Sequence, residues 1–394
     1  MAKLRLAVFN TQPPHLFFGG VERRIMETVK LMQSKADVTV YCGTKAGFKT
    51  STQIEGARLV PCYSTDKFFP LDNWFFNRSL IKIAANIDSD VFEAHAVSGY
   101  DFPRKLKQLG IKKPLIHTIH GVLTDEYQQA KNSSSQSLRD KVATRLMNHL
   151  GILEKKTAQN ATLIVTISNY SLQKIEQYYC IDKEKVRIVP NGVDTEKFKP
   201  ASNSAETRKQ LGIGGEPIVL FVGSLIPRKG VLLLVEAAKK IVKEHVDTKF
   251  LLVGDGPLRG QLDCALKESS LTNNFVFLKN VKDGLLPSIY NCANVFVLPS
   301  IQEGQGIVLL EAQASGLPVV ASDIGGVNEV VRNGVTGLLA EKGNAESLAD
   351  CILKVLSDEA FSERLGLAGR TFVSENFTWE LCAKRMLDVY HSVL

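Results

Sequence analysis

The 394-residue sequence predicts two α/β domains, each a doubly wound parallel sheet of Rossmann-like type, facing each other across a cleft. Three observations predict this. Short apolar runs of strand length alternate with amphipathic stretches of helical period. The alternation pauses in a region rich in Pro, Gly, Asn and Ser, and then restarts. The chain is too long for one ordinary α/β domain and suits two of moderate size.

The first series of strands is LRLAVF (4–9), DVTVYC (37–42), VFEAHA (91–96), PLIHTIH (114–120) and ATLIVTIS (161–168). Helical patterns such as VERRIMETVKLMQS (21–34) and SLQKIEQYY (171–179) lie between most of them. Nearly unbroken apolar runs imply strands covered on both faces, which is the condition of a parallel sheet. The linker region is 189–217. The second series is PIVLFVGSL (217–225), KFLLVGDG (249–256), NFVFLK (274–279), NVFVLPS (294–300) and LPVVASD (317–323), with an amphipathic helix over 229–245. The last element, 378–394, reads as a helix with Thr378 as its N-cap. SSSQS (133–137) reads as a polar loop of the first domain. Ligands of such folds bind at the interdomain cleft.

Hydrophobic residues make up 44% and charged residues 23%, the balance of a soluble protein, and no apolar run reaches membrane-spanning length. The N-terminal MAKLRLAVFN reads as a strand and not as a signal peptide. Seven scattered cysteines without a CxxC fit reduced thiols and give no zinc framework, so the expectation is a cytoplasmic protein without a metal site. Charge is uneven. Residues 1–198 hold 28 Lys and Arg against 19 Asp and Glu, and residues 199–394 hold 20 against 22. A basic first half suits peripheral contact with the anionic inner face of a membrane, or an anionic acceptor; a Lys-rich solvated surface is the equal alternative. Nothing resembles a nucleic-acid-binding motif.

The most informative segment is PSIQEGQGIVLLEAQASGLPVV (299–320). A strand ends, a glycine-rich turn follows, and a helix begins near Gly306. Backbone amides at that start, near Gly306, Ile307 and Val308, suit a diphosphate, and glycine, Gly304 included, lets the backbone approach the ligand closely. Glu303 on the turn and Glu311 in the helix suit hydrogen bonds from sugar hydroxyls and a ribose diol. The alternative is that Glu303 complements the helix dipole while Glu311 occupies a solvated face.

EGQGIVLLEA resembles the E-x7-E signature of retaining family-4 glycosyltransferases, which have the GT-B fold. Other segments resemble that family in the same order: FGGVERRIMETVKLM (18–32), HTIHG (117–121), VTISNYS (165–171), IVPNGVD (188–194), FVGSLIPRKG (221–230), LLVGDGP (251–257) and FVLPS (296–300). The resemblance covers nearly the whole chain. It implies an acceptor-side domain over 1–198, joined by a C-terminal helix (380–394) that crosses back to it, and a nucleotide-sugar-binding domain over 199–379. It implies transfer of a sugar, with retention, from a donor such as a UDP- or GDP-sugar to a hydroxyl acceptor (sugar, glycan or lipid-linked), with no cofactor and no metal. It gives catalytic roles to His120, Lys229 and Glu303. Lys229 would neutralise the diphosphate, Glu303 would bind sugar hydroxyls, and Glu311 would bind the ribose. Gly19 and Gly20 would bring amides to the distal phosphate, Gly223 belongs to the donor loop, and His120 would lie beside the transferred sugar. Without the family, His120 would be read as a capping residue at a strand end.

The family usually has an arginine directly after the glycine at 223; this chain has Ser224, with Arg228 as a candidate substitute. A catalytically silent sugar-nucleotide-binding protein and a GT-B epimerase are the competing readings. A phosphorylase-like activity fits poorly, because no pyridoxal-binding lysine can be placed. Three further matches carry little. Asp88-Ser89-Asp90 spells DxD but directly precedes a strand. GDGPLRG (254–260) is one residue too long for a dinucleotide fingerprint, and the sequons at Asn77, Asn132 and Asn160 have no meaning in a cytoplasmic chain. Phe68, Phe69, Trp74, Phe75 and Phe76 crowd 66–78. They read either as core of a helix beginning near Asp72 or as a patch that enters a membrane interface.

Overall fold

The computed structural model describes residues 3–17, 19–65, 71–131, 138–201 and 204–394. They form two compact units, Met1–Asn191 with Trp379–Leu394, and Gly192–Thr378. The division falls before the expected 198, because Val193 donates its N–H to the Phe377 carbonyl at 2.9 Å and Val193 and Phe198 are buried in the core of the second unit.

The first unit is an eight-stranded sheet: β1 (Leu4–Asn10), β2 (Ala36–Gly43), β3 (Thr52–Ile54), β4 (Ala57–Cys62), β5 (Val91–His95), β6 (Leu115–Ile119), β7 (Leu163–Thr166) and β8 (Val186–Ile188). The order is β3-β4-β2-β1-β5-β6-β7-β8. Among the described residues only β3 runs antiparallel, against β4. β3, β4 and β8 are absent from the sequence-derived series: β3 and β8 have three residues each, and β4 (ARLVPC) is not a continuous run of buried apolar side chains. The chain direction of the order reverses between β1 and β5, so loops leaving these strands at their carboxyl ends diverge and open a crevice there. The C-terminal helix Trp379–His391 packs on the helix Gly20–Met32 of this same unit, burying Trp379, Met386 and Tyr390. Each such side chain contributes about 1.5–3 kcal/mol. Thr378 lies outside the helix, in a bridge with Val193.

The second unit is a six-stranded parallel sheet: β9 (Ile218–Val222), β10 (Lys249–Val253), β11 (Phe275–Leu278), β12 (Val295–Leu298), β13 (Val319–Ser322) and β14 (Leu338–Ala340). Its order, β11-β10-β9-β12-β13-β14, is that of a nucleotide-binding Rossmann sheet with the reversal between β9 and β12. Ile218 to Phe221 in β9 are fully buried, as are Val231, Leu234, Val235 and Ile241 of the helix Val231–Glu244 that covers them.

Asp88 and Asp90 of the DxD match are occupied by Arg5. The Arg5 backbone N–H and guanidinium donate to Asp90 at 3.0 and 2.6 Å, and the guanidinium also pairs with Asp88. Arg5 holds the Asp90 carboxyl below its usual range. The motif therefore ties β1 to the entry of β5. Of the aromatic segment, Phe76 is fully buried while Trp74 is 43% exposed. Phe75 packs edge-on against Trp74 and Tyr63, and Arg78 lies over the Trp74 ring. Phe68 and Phe69 lie outside the described residues, as do SSSQS and Asn132. Asn77 is buried, so its sequon is inaccessible. Among the described residues no helix is long and apolar enough to cross a membrane.

Candidate active site

In the second unit the expected residues gather where the strand order reverses. β9 ends at Val222, followed by Gly223, exposed Ser224 and a short helical turn, Pro227–Lys229. Gly230 closes this turn at φ 68°, and a Cβ there would stand 1.8 Å from the Pro299 carbonyl at the end of β12. Only glycine permits that approach. Ile301 donates its N–H to the Arg228 carbonyl at 2.8 Å. The turn carrying Arg228 and Lys229 is thus stitched to the turn carrying Glu303.

The side chains meet above that seam. The Lys229 ammonium donates to Glu303 Oε2, with both side chains 13% exposed. The Arg228 guanidinium stands 4.0 Å from the same oxygen. Burial pushes the Glu303 carboxyl up, but the opposing charges of Lys229 and then Arg228 outweigh it and hold it below its ordinary value. The Arg228 guanidinium thus lies near the same carboxylate, from a backbone position four residues beyond Ser224.

Gly304 lies against the short helical turn Gly325–Glu329: a Cβ on Gly326 would stand 1.7 Å from the Gly304 carbonyl. Gly306, at φ 87°, is the N-cap of the helix Ile307–Ala314. The first amides of that helix, Ile307 and Val308 included, have no partner within it and concentrate partial positive charge. Glu311 does not occupy a solvated face. It is 1% exposed and its Oε2 accepts from the Tyr290 hydroxyl at 2.8 Å. Tyr290, on the helix Leu286–Cys292, was not singled out from sequence, where it is one apolar residue among many.

In the first unit Gly19 is the N-cap of the helix beginning at Gly20. The Glu22 carboxylate lies against it: a Cβ on Gly19 would stand 2.3 Å from Glu22 Oε2. Asn10 donates to Glu22 Oε1 at 3.1 Å. This helix end therefore carries its own negative charge. His120 follows β6 and its Nε2 lies 2.9 Å from Nδ1 of His95, with the two rings stacked at 5.2 Å. His95 Nε2 is 3.4 Å from Glu93 Oε1. Burial lowers His95 to about 4, against a smaller upward pull from Glu93. Burial, then His95 and Arg24, hold His120 well below its ordinary value. Both imidazoles are neutral near pH 7. Glu93 and His95 escaped the sequence reading, although two titratable residues inside a strand covered on both faces, VFEAHA, are the signal of a polar network.

Residues 203–372 match the family Glycosyl transferases group 1, and residues 18–197 match Glycosyltransferase Family 4. The chain is 31% identical over 290 residues to D-inositol 3-phosphate glycosyltransferase of Nocardia farcinica, covering 71% of this chain and 62% of that protein. It is 29% identical over 289 residues to UDP-Gal:alpha-D-GlcNAc-diphosphoundecaprenol alpha-1,3-galactosyltransferase of Escherichia coli, covering 72% and 70%. It is 31% identical to an uncharacterized glycosyltransferase of Methanocaldococcus jannaschii over 60% of this chain, and the match spans 62% of that relative's length. Sucrose-phosphate synthase from Thermosynechococcus elongatus has the same fold, with a TM-score of 0.83 at 23% identity and 99% of both chains covered. Anabaena HepE, solved with UDP-glucose, superposes with a TM-score of 0.79 at 20% identity over 99% of this chain and 100% of its own. Two Rossmann-like parallel sheets, a Lys–Glu pair at the reversal of the second and family matches over both halves agree: the chain belongs to the group 1, family 4 type of glycosyltransferases with the GT-B fold.

Proposed function

We propose that the protein transfers a sugar from a nucleotide diphosphate donor to a hydroxyl acceptor, with retention at the anomeric carbon. The observation that carries this reading is the Glu303 carboxylate held between Lys229 and Arg228 where the second sheet reverses. A diphosphate exchanges for Glu303 as the partner of both cations. The released carboxylate then accepts hydrogen bonds from sugar hydroxyls. Negative charge growing on the departing β-phosphate meets Lys229 and the amides at the start of Ile307–Ala314. Glu311, with Tyr290 on one oxygen, serves the ribose. In the first unit His120 presents a neutral imidazole to a sugar hydroxyl, as the family resemblance implies. No carboxylate is assigned as a covalent nucleophile, so the reading is front-face attack, with the leaving phosphate taking the acceptor proton. The roles of Gly19, Gly20 and Gly223 are those of backbone close to phosphate.

The acceptor in this reading is lipid-linked or presented at an anionic membrane surface. Support comes from the basic first half and from exposed Tyr63, Leu71 and Trp74 in the first unit. The name of the E. coli relative also carries a diphosphoundecaprenol-linked acceptor. Loss of binding to anionic liposomes at low salt on Trp74→Ala is the expected result; a purified protein that ignores such liposomes refutes this part.

A panel of UDP-, GDP- and ADP-sugars screened by thermal stabilisation identifies the donor. With that donor, slow release of nucleoside diphosphate without acceptor is expected, and Glu303→Ala and Lys229→Ala each abolish it. Full turnover by either variant at saturating donor refutes the site assignment, and the anomeric configuration of the product decides retention.

A further inference from the structure

The polar groups buried under His120 form a chain that ends on the C-terminal helix. The Glu93 carboxylate accepts from two hydroxyls, Thr118 at 2.6 Å on Oε1 and Tyr390 on Oε2. Glu93 and His95 are two apart on β5 and share one face of it. His95 Nε2 stands 3.4 Å from Glu93 Oε1. The separation is long for a hydrogen bond, so the effect is chiefly electrostatic: a carboxylate this close, at a site 2% exposed, favours the N–H there over a lone pair. That places the lone pair of His95 on Nδ1, facing His120 Nε2 across 2.9 Å. Two neutral rings in such contact need one donor and one acceptor, so His120 Nε2 carries its proton.

We propose that Glu93 and Tyr390 act through His95 as positioning residues that fix the tautomer of His120, with the proton on Nε2 and the Nδ1 lone pair offered to a sugar hydroxyl. The proposal rests on the reading of His120 as the residue beside the transferred sugar. Arg24 serves the same end by position. Its guanidinium is buried, donates to the Val189 carbonyl and to Asn191 Oδ1 at 2.8 and 3.0 Å, and lines with Glu93, His95 and Tyr390 one small cavity. His117 is fixed separately: its Nε2 donates to the Ala96 carbonyl at 2.5 Å, an atom that can only accept.

The test is the nitrogen spectrum of the isotopically labelled histidines in the full-length protein. His120 is expected in the Nε2–H form, and the opposite tautomer in the unmodified protein overturns the proposal without any variant. Glu93→Gln offers His95 an amide donor as well as an acceptor, and Tyr390→Phe removes one hydroxyl from the carboxylate. In Glu93→Gln the His120 signals are expected to move to a mixture of tautomers. Donor turnover should then fall roughly tenfold in kcat, the worth of one neutral hydrogen bond, with KM unchanged. Tyr390→Phe, whose ring packing is kept, shows the same displacement in weaker form. Unchanged His120 signals in both variants overturn the relay. His120→Ala separates this from the underlying reading: full turnover there refutes the role of His120 at the sugar, while the tautomer measurement still decides the relay.

Discussion

The Ile301 amide donates to the Arg228 carbonyl across 2.8 Å, and this one bond fixes the spacing between the two turns that carry the site. One turn holds the cations and the other holds the acid, and each would be a mobile loop alone. With Gly230 pressed against Pro299, they form one preorganised surface. Gly230→Ala tests the seam. The new Cβ meets the Pro299 carbonyl at 1.8 Å in a backbone conformation that L-residues avoid, so a loss of roughly 2 kcal/mol or more is expected in thermal or urea unfolding. Donor turnover should fall together with stability.

Arg228 and Lys229 are not equivalent. Lys229 is 13% exposed and bonded to Glu303, while Arg228 is 40% exposed and 4.0 Å away. Arg228→Ala should weaken donor binding by about fivefold at most, the range of an exposed charge contact. Lys229→Ala should remove turnover. Equal losses in the two variants would show that the exposed arginine carries as much of the phosphate charge as the buried lysine.

Tyr290 holds Glu311 by a single hydroxyl at 2.8 Å. Tyr290→Phe keeps the buried ring and leaves the carboxylate oxygen without that donor, at a cost of about 1–3 kcal/mol in stability. Nucleotide affinity should drop several-fold, measured by calorimetry with the free nucleoside diphosphate. An unchanged affinity would mean that Glu311 keeps its orientation without Tyr290.

Glu154 is fully buried, and burial raises its carboxyl to about 8 despite hydrogen bonds from Tyr179 and the Leu123 amide. The folded state thus holds a proton that the unfolded chain releases above its ordinary 4.5. Its contribution is complete below 4.5 and is lost as pH rises through 8. His95 and His117, lowered to about 4 by burial, act in the opposite sense: their stability is complete above 6.5 and is lost as pH falls through 4. Glu154→Gln should flatten the decline in melting temperature on the alkaline side and leave the acid side unchanged. A profile identical to that of the parent would place an ionised carboxylate at 154.

Both sheets were legible because their central strands are continuous apolar runs between helical periods. The boundary near 191 was not, since Val193 and Phe198 reveal their allegiance only through long-range pairing. Lys229, Glu303 and Glu311 stood out as charges at strand and helix ends with glycine beside them. The burial of Glu311 did not, because a helix of eight residues with apolar side chains on every face gives no clue to which side an acid points. Glu93 and His95 were in plain view inside a buried strand. Their meaning depended on Tyr390, 297 positions away from Glu93.

That separation has a consequence for how the chain matures. The sheet of the first unit is complete long before Trp379–His391 is synthesised, yet buried Arg24 and Glu93 receive Met386 and Tyr390 only from that last segment. Gly192–Thr378 is continuous in sequence and can settle before that segment is made. The nascent first half must therefore wait, with a charged gap on one flank, for its closing piece to arrive.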